Sequence, residues 1–406
     1  MINWKETTLG EACKILSGST PSTEDSSFWD GNISWITPKD LSGFNGTFIE
    51  KGERNITEAG LRNSSAQLLT PNTILFSSRA PIGYVAIAKK ELTTNQGFKN
   101  IVCDEKITHF QFIYYWLKFK SNLIEKRSSG STFSEASASL MRSLEIDLPP
   151  IEEQKEIAGV LSSLDDKIEL LQEENKTLEA TAQAIFKEWF VNFNFPGATG
   201  KMIDSELGKI PEWWGVGKIK DLINIFSGFA FSSSDFIQNG KYRLVTIKNV
   251  QDRYFVQDIK DTFDDLPLKM PQYCHLKTGD ILLSLTGNVG RICLVVGENY
   301  LLNQRVAKLE AINGKDYAFT YLLFLQESIF SLLQNTASGT AQQNLSPVQT
   351  KEIEIVMPAR FVLDTFGDIG NPMIKKVNQN NFQIQTLSTF RDTLLPKLMS
   401  GDLRIK

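Results

Sequence analysis

A long heptad pattern between Ile151 and Trp189 constrains the fold of this 406-residue chain more than any other feature. Seam residues recur at alternating steps of four and three: Ile157, Leu161, Leu164, Ile168, Leu171, Asn175, Leu178, Ala182, Ile185 and Trp189. This spacing predicts a helix that buries one narrow stripe in a coiled coil. At about 1.5 Å per residue, the helix would reach roughly 55–60 Å. Such a helix is better suited to separating domains than to forming the core of one.

A second stripe lies near the end of the chain in the same register. Adding 209 to each seam position gives Phe366, Gly370, Met373, Val377, Asn380, Ile384, Leu387, Arg391, Leu394 and Leu398. Seven of these ten residues are large and apolar, so the pattern predicts a second long helix. The prolines at 149 and 150 favour the start of the first helix, and Asn194, Pro196 and Gly197 favour its end.

The segments upstream of the two helices also repeat, at offsets between 207 and 210 residues. The matched pairs are 9–18 with 219–228, 35–41 with 244–250, 73–83 with 280–290, and 144–149 with 353–358. A single period of this size predicts two copies of a mixed α/β domain, each followed by a long helix. We therefore expect a domain at 1–150, a spacer helix at 151–195, a domain at 196–360 with a linker at 196–214, and a second helix with a tail at 361–406.

Charge and cysteine content limit the cellular compartments and the classes of partner that the sequence is compatible with. Residues 151–195 carry 4 basic and 10 acidic side chains, whereas 1–150 carry 16 of each and 196–360 carry 17 of each. The neutral globular parts permit a basic face without requiring one. Four scattered cysteines without a CxxC pair make a zinc site or a disulfide framework unfavourable. No apolar run is long enough for a membrane span and MINWKETTLG is no signal peptide, so a cytoplasmic protein is expected.

The motifs of common DNA-modifying enzymes are missing from the sequence. Amino-methyltransferases need a glycine loop for the cofactor and an Asn/Asp-Pro-Pro-aromatic tetrapeptide, and 371–373 (NPM) is only a fragment of the latter. The E-x-K fragment at 153–155 lies at the predicted helix start, where a solvated role explains it. The glycines at 287 and 290 lack the Lys-Ser/Thr of a phosphate-binding loop. The two histidines, His109 and His275, do not match between the copies, which excludes a repeated histidine site.

With these segments identified, the chain resembles the specificity subunits of type I DNA restriction–modification systems. The resemblance is carried by 148–158 (LPPIEEQKEIA), 164–168 (LDDKI) and 395–405 (LPKLMSGDLRI), and the two-copy layout extends it over the full length. The second copy departs from the pattern, with 361–363 (FVL) in place of 152–154 (EEQ).

The resemblance implies two target recognition domains that each read one half of a bipartite site on double-stranded DNA. The helices would form an antiparallel coiled coil that sets the gap between half-sites and docks two modification (methyltransferase) subunits. The chain itself would be non-catalytic and hold no cofactor. S-adenosylmethionine would belong to the modification subunits, and ATP and magnesium would act on partner subunits, which include the restriction (translocase and nuclease) subunits.

Matched turns supply the side chains that read bases, namely Arg or Lys for guanine and Asn or Gln for adenine. The DNA-binding candidates of the first domain are Lys39, Arg79, Asn95, Gln96, Lys99, Ser129 and Thr132. Those of the second domain are Lys248, Asn249, Asn288, Arg291, Asn303, Gln304, Arg305, Ser338, Gln342, Gln343 and Asn344. Any one of these residues has an ordinary structural role as its simpler explanation, and the prediction concerns the set.

An antiparallel pairing about a pseudo-twofold axis would place Asn175 against Asn380, where two amides satisfy each other and fix the helix register. The same register pairs Trp189 with Phe366. It leaves Leu164 opposite Arg391, whose charge would have to reach solvent.

Two other functions stay open on the sequence alone. The first is a coiled-coil scaffold with protein-binding domains, and the second is a solitary DNA adenine methyltransferase. Binding to random DNA with a steep salt dependence separates the DNA-recognition subunit from the scaffold. Binding of S-adenosylmethionine by the purified chain would identify the methyltransferase.

Overall fold

A computed structural model of the chain describes residues 4–79, 81–128, 135–337 and 344–405. By its internal contacts the chain divides into two compact units. Met1–Leu170 and Gln385–Lys406 form the first unit, and Leu171–Ile384 forms the second. Both units therefore contain part of each long helix.

The first unit is built around a five-stranded sheet that a long helix covers. Its strands are β1 (Lys5–Thr8), β2 (Cys13–Ser17), β3 (Trp29–Ile36), β4 (Phe48–Ile49), β5 (Arg54–Ile56), β6 (Ile74–Ser77), β7 (Val85–Ala88), β8 (Thr93–Thr94), β9 (Phe98–Cys103) and β10 (Glu145–Leu148). Its helices are α1 (Leu9–Ala12), α2 (Glu58–Arg62), α3 (Phe110–Ser128), α4 (Ala138–Arg142) and the beginning of α5 (Ile151–Phe186). Strand order in the main sheet is β2-β9-β6-β7-β4, beside the smaller sheets β5-β3-β8 and β1-β10.

The second unit repeats this arrangement with its own elements. Its strands are β11 (Met202–Ser205), β12 (Gly208–Pro211), β13 (Gly215–Lys218), β14 (Ile223–Ser227), β15 (Tyr242–Val245), β16 (Val250–Gln251), β17 (Tyr254–Phe255), β18 (Thr262–Phe263), β19 (His275–Leu276), β20 (Ile281–Ser284), β21 (Ile292–Leu294), β22 (Tyr300–Leu302), β23 (Val306–Ala311) and β24 (Glu354–Met357). Its helices are α6 (Tyr317–Phe324), α7 (Glu327–Ala337), α8 (Pro347–Lys351) and most of α9 (Arg360–Met399).

The sheets of the two units share one topology. The order β14-β23-β20-β21 in the second unit matches β2-β9-β6-β7 in the first, and β13-β24 matches β1-β10. The side sheets match as well, since β15 pairs antiparallel with β18 and parallel with β22, as β3 does with β5 and β8. The predicted mixed α/β class and the predicted duplication are therefore confirmed.

The two long helices contact each other in antiparallel order within the second unit. The Asn380 Nδ2 donates to the Asn175 Oδ1 at 2.9 Å, and the Asn175 Nδ2 donates to the Asn381 Oδ1 at 2.8 Å. Just beyond the end of α5, in a π-helical turn at Lys187–Val191, the ring of Trp189 lies 5.8 Å from that of Phe366. The predicted contacts Asn175–Asn380 and Trp189–Phe366 are both present. Between them the residue numbers rise on one helix and fall on the other, which is the antiparallel order.

In the first unit the two long helices contact each other through Asp165 and Arg391, and the prediction for Arg391 is incomplete. Its side chain is 19% exposed, and its guanidinium contacts both the exposed Asp392, at 2.8 Å, and the carboxylate of Asp165, to which its Nη1 donates at 2.6 Å and which is 5% exposed. The hydroxyl of Tyr115, on α3, donates to the other oxygen of Asp165 at 2.8 Å. Asp165 is thus buried more deeply than the seam residue Leu164 beside it.

Among the described residues, no helix combines the length and the apolar character that a membrane crossing requires.

Candidate nucleic-acid interface

In each unit, polar turns from distant parts of the sequence meet at one edge of the main sheet. In the first unit this edge consists of residues 37–41, 78–79, 81–83, 95–97 and 135, which we call the first loop edge. The corresponding residues 246–250, 285–290, 303–305 and 344 form the second loop edge. The Asn95 amide donates to the Ile36 carbonyl at 2.9 Å and the Asn303 amide to the Val245 carbonyl at 3.2 Å, which brings the turns after these strands to the asparagine turns. Further backbone hydrogen bonds connect the other members of each set, as described below.

A serine at the end of β6 shapes the loop that follows it in the first unit. The Ser77 hydroxyl donates to the Pro81 carbonyl at 2.8 Å and accepts from the Tyr84 amide at 2.8 Å. Gly83 closes the loop with a φ of +101°, a conformation that other residues rarely adopt. One side chain therefore holds both ends of the loop.

The same loop is tied by its backbone to the other turns of the first loop edge. The Ser78 amide donates to the Gly97 carbonyl at 2.7 Å, and the Ala136 amide donates to the Ser78 carbonyl at 2.8 Å. Arg79 and Glu135 consequently face each other in an isolated antiparallel bridge. These bonds bring together residues that are far apart in the sequence.

The second loop edge has the same backbone frame. The Ser284 hydroxyl, at the end of β20, donates to a carbonyl of its loop and accepts from the Arg291 amide at 3.0 Å. The Leu285 amide donates to the Arg305 carbonyl at 3.0 Å, and the Leu345 amide donates to the Leu285 carbonyl at 2.7 Å. Each bond has its counterpart in the first unit.

The Ser-Gly dipeptides at 17–18 and 227–228, which end the matched segments 9–18 and 219–228, support the asparagine turns of the loop edges. A Cβ added at Gly18 would overlap the carbonyl oxygen of Asn95, and one added at Gly228 would overlap that of Asn303. Each asparagine side chain caps its own turn, with the Asn95 Oδ1 accepting from the Gly97 amide at 2.9 Å and the Asn303 Oδ1 from the Arg305 amide at 3.1 Å. Glycine is needed because the two backbones touch.

The turn after β3 and its equivalent after β15 are also capped by a side chain. The Asp40 carboxylate accepts from the backbone amide and the hydroxyl of Thr37, both at 2.7 Å. The Asn249 Oδ1 accepts from the same two groups of Thr246, at 2.8 and 3.0 Å. The lysine that precedes each capping residue is exposed.

The structure brings most of the predicted contact residues to the two loop edges. Exposed members are Lys39, Arg79, Gln96, Lys248, Asn288, Gln304, Arg305 and Asn344, and partly buried ones are Asn95, Arg291 and Asn303. Ser129, Thr132, Ser338, Gln342 and Gln343 lie outside the described residues.

Two of the predicted contacts need correction, because their side chains are buried and used within the protein. The Lys99 side chain is 6% exposed and its Nζ lies 3.0 Å from a carboxylate oxygen of Glu135. Asn249 is 4% exposed, and besides capping its turn it donates to the Val256 carbonyl at 2.9 Å. Neither side chain can reach a base without breaking these bonds.

Glu135 was missed by the sequence interpretation, although it joins two candidate residues. Its carboxylate contacts the Lys99 Nζ and, at 3.2 Å, the Arg79 Nε. Burial raises the pKa of Glu135, but hydrogen bonds and charge from Lys99, with a further contribution from Arg79, outweigh it and hold this pKa below its usual value. The only sequence signal was an acidic residue in an otherwise small and polar segment.

Within the described ranges, no group of three or more His, Cys, Asp or Glu side chains is arranged to hold a metal ion. Cys13, Cys274 and Cys293 are buried, and Cys103 is partly buried, with all four unpaired as disulfides.

Known proteins similar to this chain identify its family. The family model described as "Type I restriction modification DNA specificity domain" matches residues 1–180 and 211–360. The type I restriction enzyme MjaIX specificity subunit of Methanocaldococcus jannaschii is 34% identical, covering 100% of this chain and 94% of the relative. The HindI specificity subunit of Haemophilus influenzae is 23% identical, covering 99% and 100%.

A solved structure supports the same fold. The crystal structure of the type I restriction–modification S subunit from M. genitalium matches with a TM-score of 0.65 at 20% identity, covering 98% of this chain and 96% of that one. The chain therefore belongs to the type I restriction–modification DNA specificity family, as a non-catalytic specificity subunit with two target recognition domains.

Proposed function

We propose that each loop edge binds one half of a bipartite DNA site and that the two long helices set the gap between the halves. The recognition domains would be 1–150 and 196–360, with 196–214 as a linker. The spacers would be 151–195 and the helix and tail of 361–406. The Asn175–Asn380 pair would fix the register of the spacers.

The observation that carries this proposal is one backbone frame bearing two sets of side chains. The serine-held loop and the asparagine turn recur in both units, whereas the bridge that closes each edge is Arg79–Glu135 in one and Thr286–Asn344 in the other. A frame repeated in both units with different side chains is what two half-sites of different sequence require, since bases are read by side chains on rigidly held loops.

The exposed groups have the chemistry for both kinds of DNA contact. Guanidinium and amide side chains can pair bidentately with guanine and adenine in the major groove. Lys248 and Arg305 are exposed, and no acceptor contacts either cationic group in the part of the chain that the structure describes. Such cations suit phosphate contacts, which position the protein on the duplex.

The partners would be two modification subunits docked on the helices, together with restriction subunits that complete the complex. Apolar side chains on the outside of the helices support docking: Leu170 is 60% exposed on α5, and Phe390 is 54% exposed on α9. S-adenosylmethionine, ATP and magnesium would be held by these partners, and the complex would act on DNA in the cytoplasm.

A domain exchange tests the proposal. Residues 1–150 are replaced by those of another family member, and the chimera is expressed with the modification subunit of its own system. Methylation mapping of the host genome should show one half of the site changed and the other half retained. The reciprocal exchange of 196–360 is the matched control and should change only the other half. A change of both halves by one exchange would contradict independent reading.

A further inference from the structure

The bridge between Arg79 and Glu135 belongs to a cluster of charged side chains whose positive and negative charges are unequal in number. The carboxylate of Glu135 contacts two cations, the Lys99 Nζ at 3.0 Å and the Arg79 Nε at 3.2 Å. The side chain of Lys99 is 6% exposed and that of Arg79 is 50% exposed. Two positive charges and one negative charge leave a surplus of one, and the exposed guanidinium presents it to the outside.

The contact holds Arg79 without occupying the part of the side chain that reads DNA. Glu135 is approached by Nε, and the peptide backbones of the two residues are paired in the bridge. The guanidinium is therefore fixed at both its base and its inner edge. Its terminal Nη1 and Nη2 atoms are the pair that can bind the O6 and N7 of guanine.

A phosphate is a poorer ligand for this guanidinium than a base edge. The carboxylate of Glu135 lies on the same group and repels a second anion, whereas the edge of a base is neutral. A fixed orientation matters for guanine, because it decides whether two parallel hydrogen bonds to its O6 and N7 can form.

The second loop edge lacks this cluster. Thr286 and Asn344 occupy the matched bridge, and the strand register places the buried Ala307 where the first unit has Lys99. Lys99 follows Phe98, which pairs with the loop serine Ser77. Ala307 likewise follows Val306, which pairs with Ser284. Any effect of the charged cluster must therefore be confined to the first recognition domain.

Resting on the proposed function, we infer that Arg79 is a guanine-reading residue of the first recognition domain, and that Glu135, supported by Lys99, is its positioning residue. The half-site read by the first domain contains a G·C pair that depends on this cluster. The matched position of the other half-site is read without a guanidinium.

The test uses the full chain assembled with its modification subunit. Arg79→Ala and Arg79→Lys are compared with wild type by genome methylation mapping and by competition between duplexes that differ at one base pair. Both variants should lower discrimination on the order of 10- to 100-fold at one G·C pair of one half-site. Arg79→Lys should retain overall affinity, because lysine keeps the charge and loses only the fork.

Glu135→Gln separates positioning from a purely structural role. Removing the anion should lower discrimination at the same G·C pair and raise affinity for random-sequence DNA, because the repulsion of phosphates is gone. The double variant Lys99→Met with Glu135→Gln should also lose discrimination, without a buried unpaired ammonium group. The control is Arg142→Ala, which removes an exposed cation beside Gly10, at the other end of β2 from the loop edge, and should change neither property.

Three results would overturn the inference: uniform weakening on all sequences by Arg79→Ala, altered preference in both half-sites, or no change. In each case a bipartite methylated motif of the wild type would persist, so the proposed function would stand. The absence of such a motif with the wild-type chain would instead refute the proposed function itself.

Discussion

Replacing Asn175 and Asn380 together by leucine should stabilise the helix pair of the second unit and loosen its register. Asn380 is 0% exposed and Asn175 8% exposed, so both amides are buried in an apolar seam. Three hydrogen bonds serve them: between the two asparagines, from Asn380 to Glu174 at 3.0 Å, and from Asn175 to Asn381. The Asn380 Oδ1 is buried and has no partner among the described residues.

The expected change in the free energy of unfolding follows from comparing the hydrogen bonds that are lost with the apolar burial that is gained. Three hydrogen bonds contribute about 1 kcal/mol each, or roughly 3 kcal/mol. Two buried leucines gain about 1.5–3 kcal/mol each, and removing an unsatisfied oxygen gains about 1 kcal/mol more. The free energy of unfolding of the double variant should rise by roughly 2 kcal/mol. Either single variant leaves an amide unpaired at about 1–3 kcal/mol, so its stability should stay near that of wild type.

Differential scanning calorimetry of the full chain, with hydrogen exchange in residues 171–186, measures the effect. The double variant should melt roughly 5 °C higher, and the cycle of single and double variants should show a coupling of about 2 kcal/mol. Lys376→Ala is the control, because the exposed Lys376–Glu174 pair, at 3.8 Å, contributes about 0–1 kcal/mol. Additive single effects, or a double variant less stable than wild type, would refute the account of the pair.

Three further outcomes are expected. Inserting one heptad at matched positions of α5 and α9 adds roughly 10 Å, and methylation mapping should show the gap wider by about three base pairs with both half-sites unchanged; an unchanged gap would show that the helices do not set it. Gly18→Ala should weaken recognition of the first half-site only and Gly228→Ala that of the second only, as duplex competition can show; loss of both by either variant would contradict separate loop edges. Lys218 and Lys220, each 2.8 Å from the Glu352 carboxylate, lower the pKa of Glu352 to about 2, so its contribution to stability is present above about pH 4.5 and lost as the pH falls towards 2. The melting temperature of Glu352→Gln should accordingly lie below wild type at pH 7 and converge with it in acid, and a constant difference would refute this assignment.

The long helices and the duplication could be predicted because both depend on periodicity, which the sequence displays directly. A heptad stripe is a local property, and a repeat is visible when strand and turn residues recur at one offset. The seam pattern did not reveal the buried Asp165, whose carboxylate is satisfied by a tyrosine and an arginine. Neither partner is close to it in the sequence.

The loop edges could be predicted as sets of residues but not in detail. Lys99 is buried because a carboxylate 36 residues further on, Glu135, reaches it across the edge. Asn249 was predicted as a base contact because it is an asparagine on a matched turn and asparagine can pair with adenine, whereas its side chain caps that turn. The glycine at position 18 was recognised as repeated, but the close approach to Asn95 that requires it appears only in three dimensions.

Methylation mapping of a host that carries the modification and restriction subunits, with and without this chain, tests the central claim most directly. The account predicts a bipartite adenine-methylated motif, two fixed half-sites around a gap of constant length, that disappears completely when the chain is removed. A motif that persists without the chain, or one that consists of a single uninterrupted sequence, would contradict it.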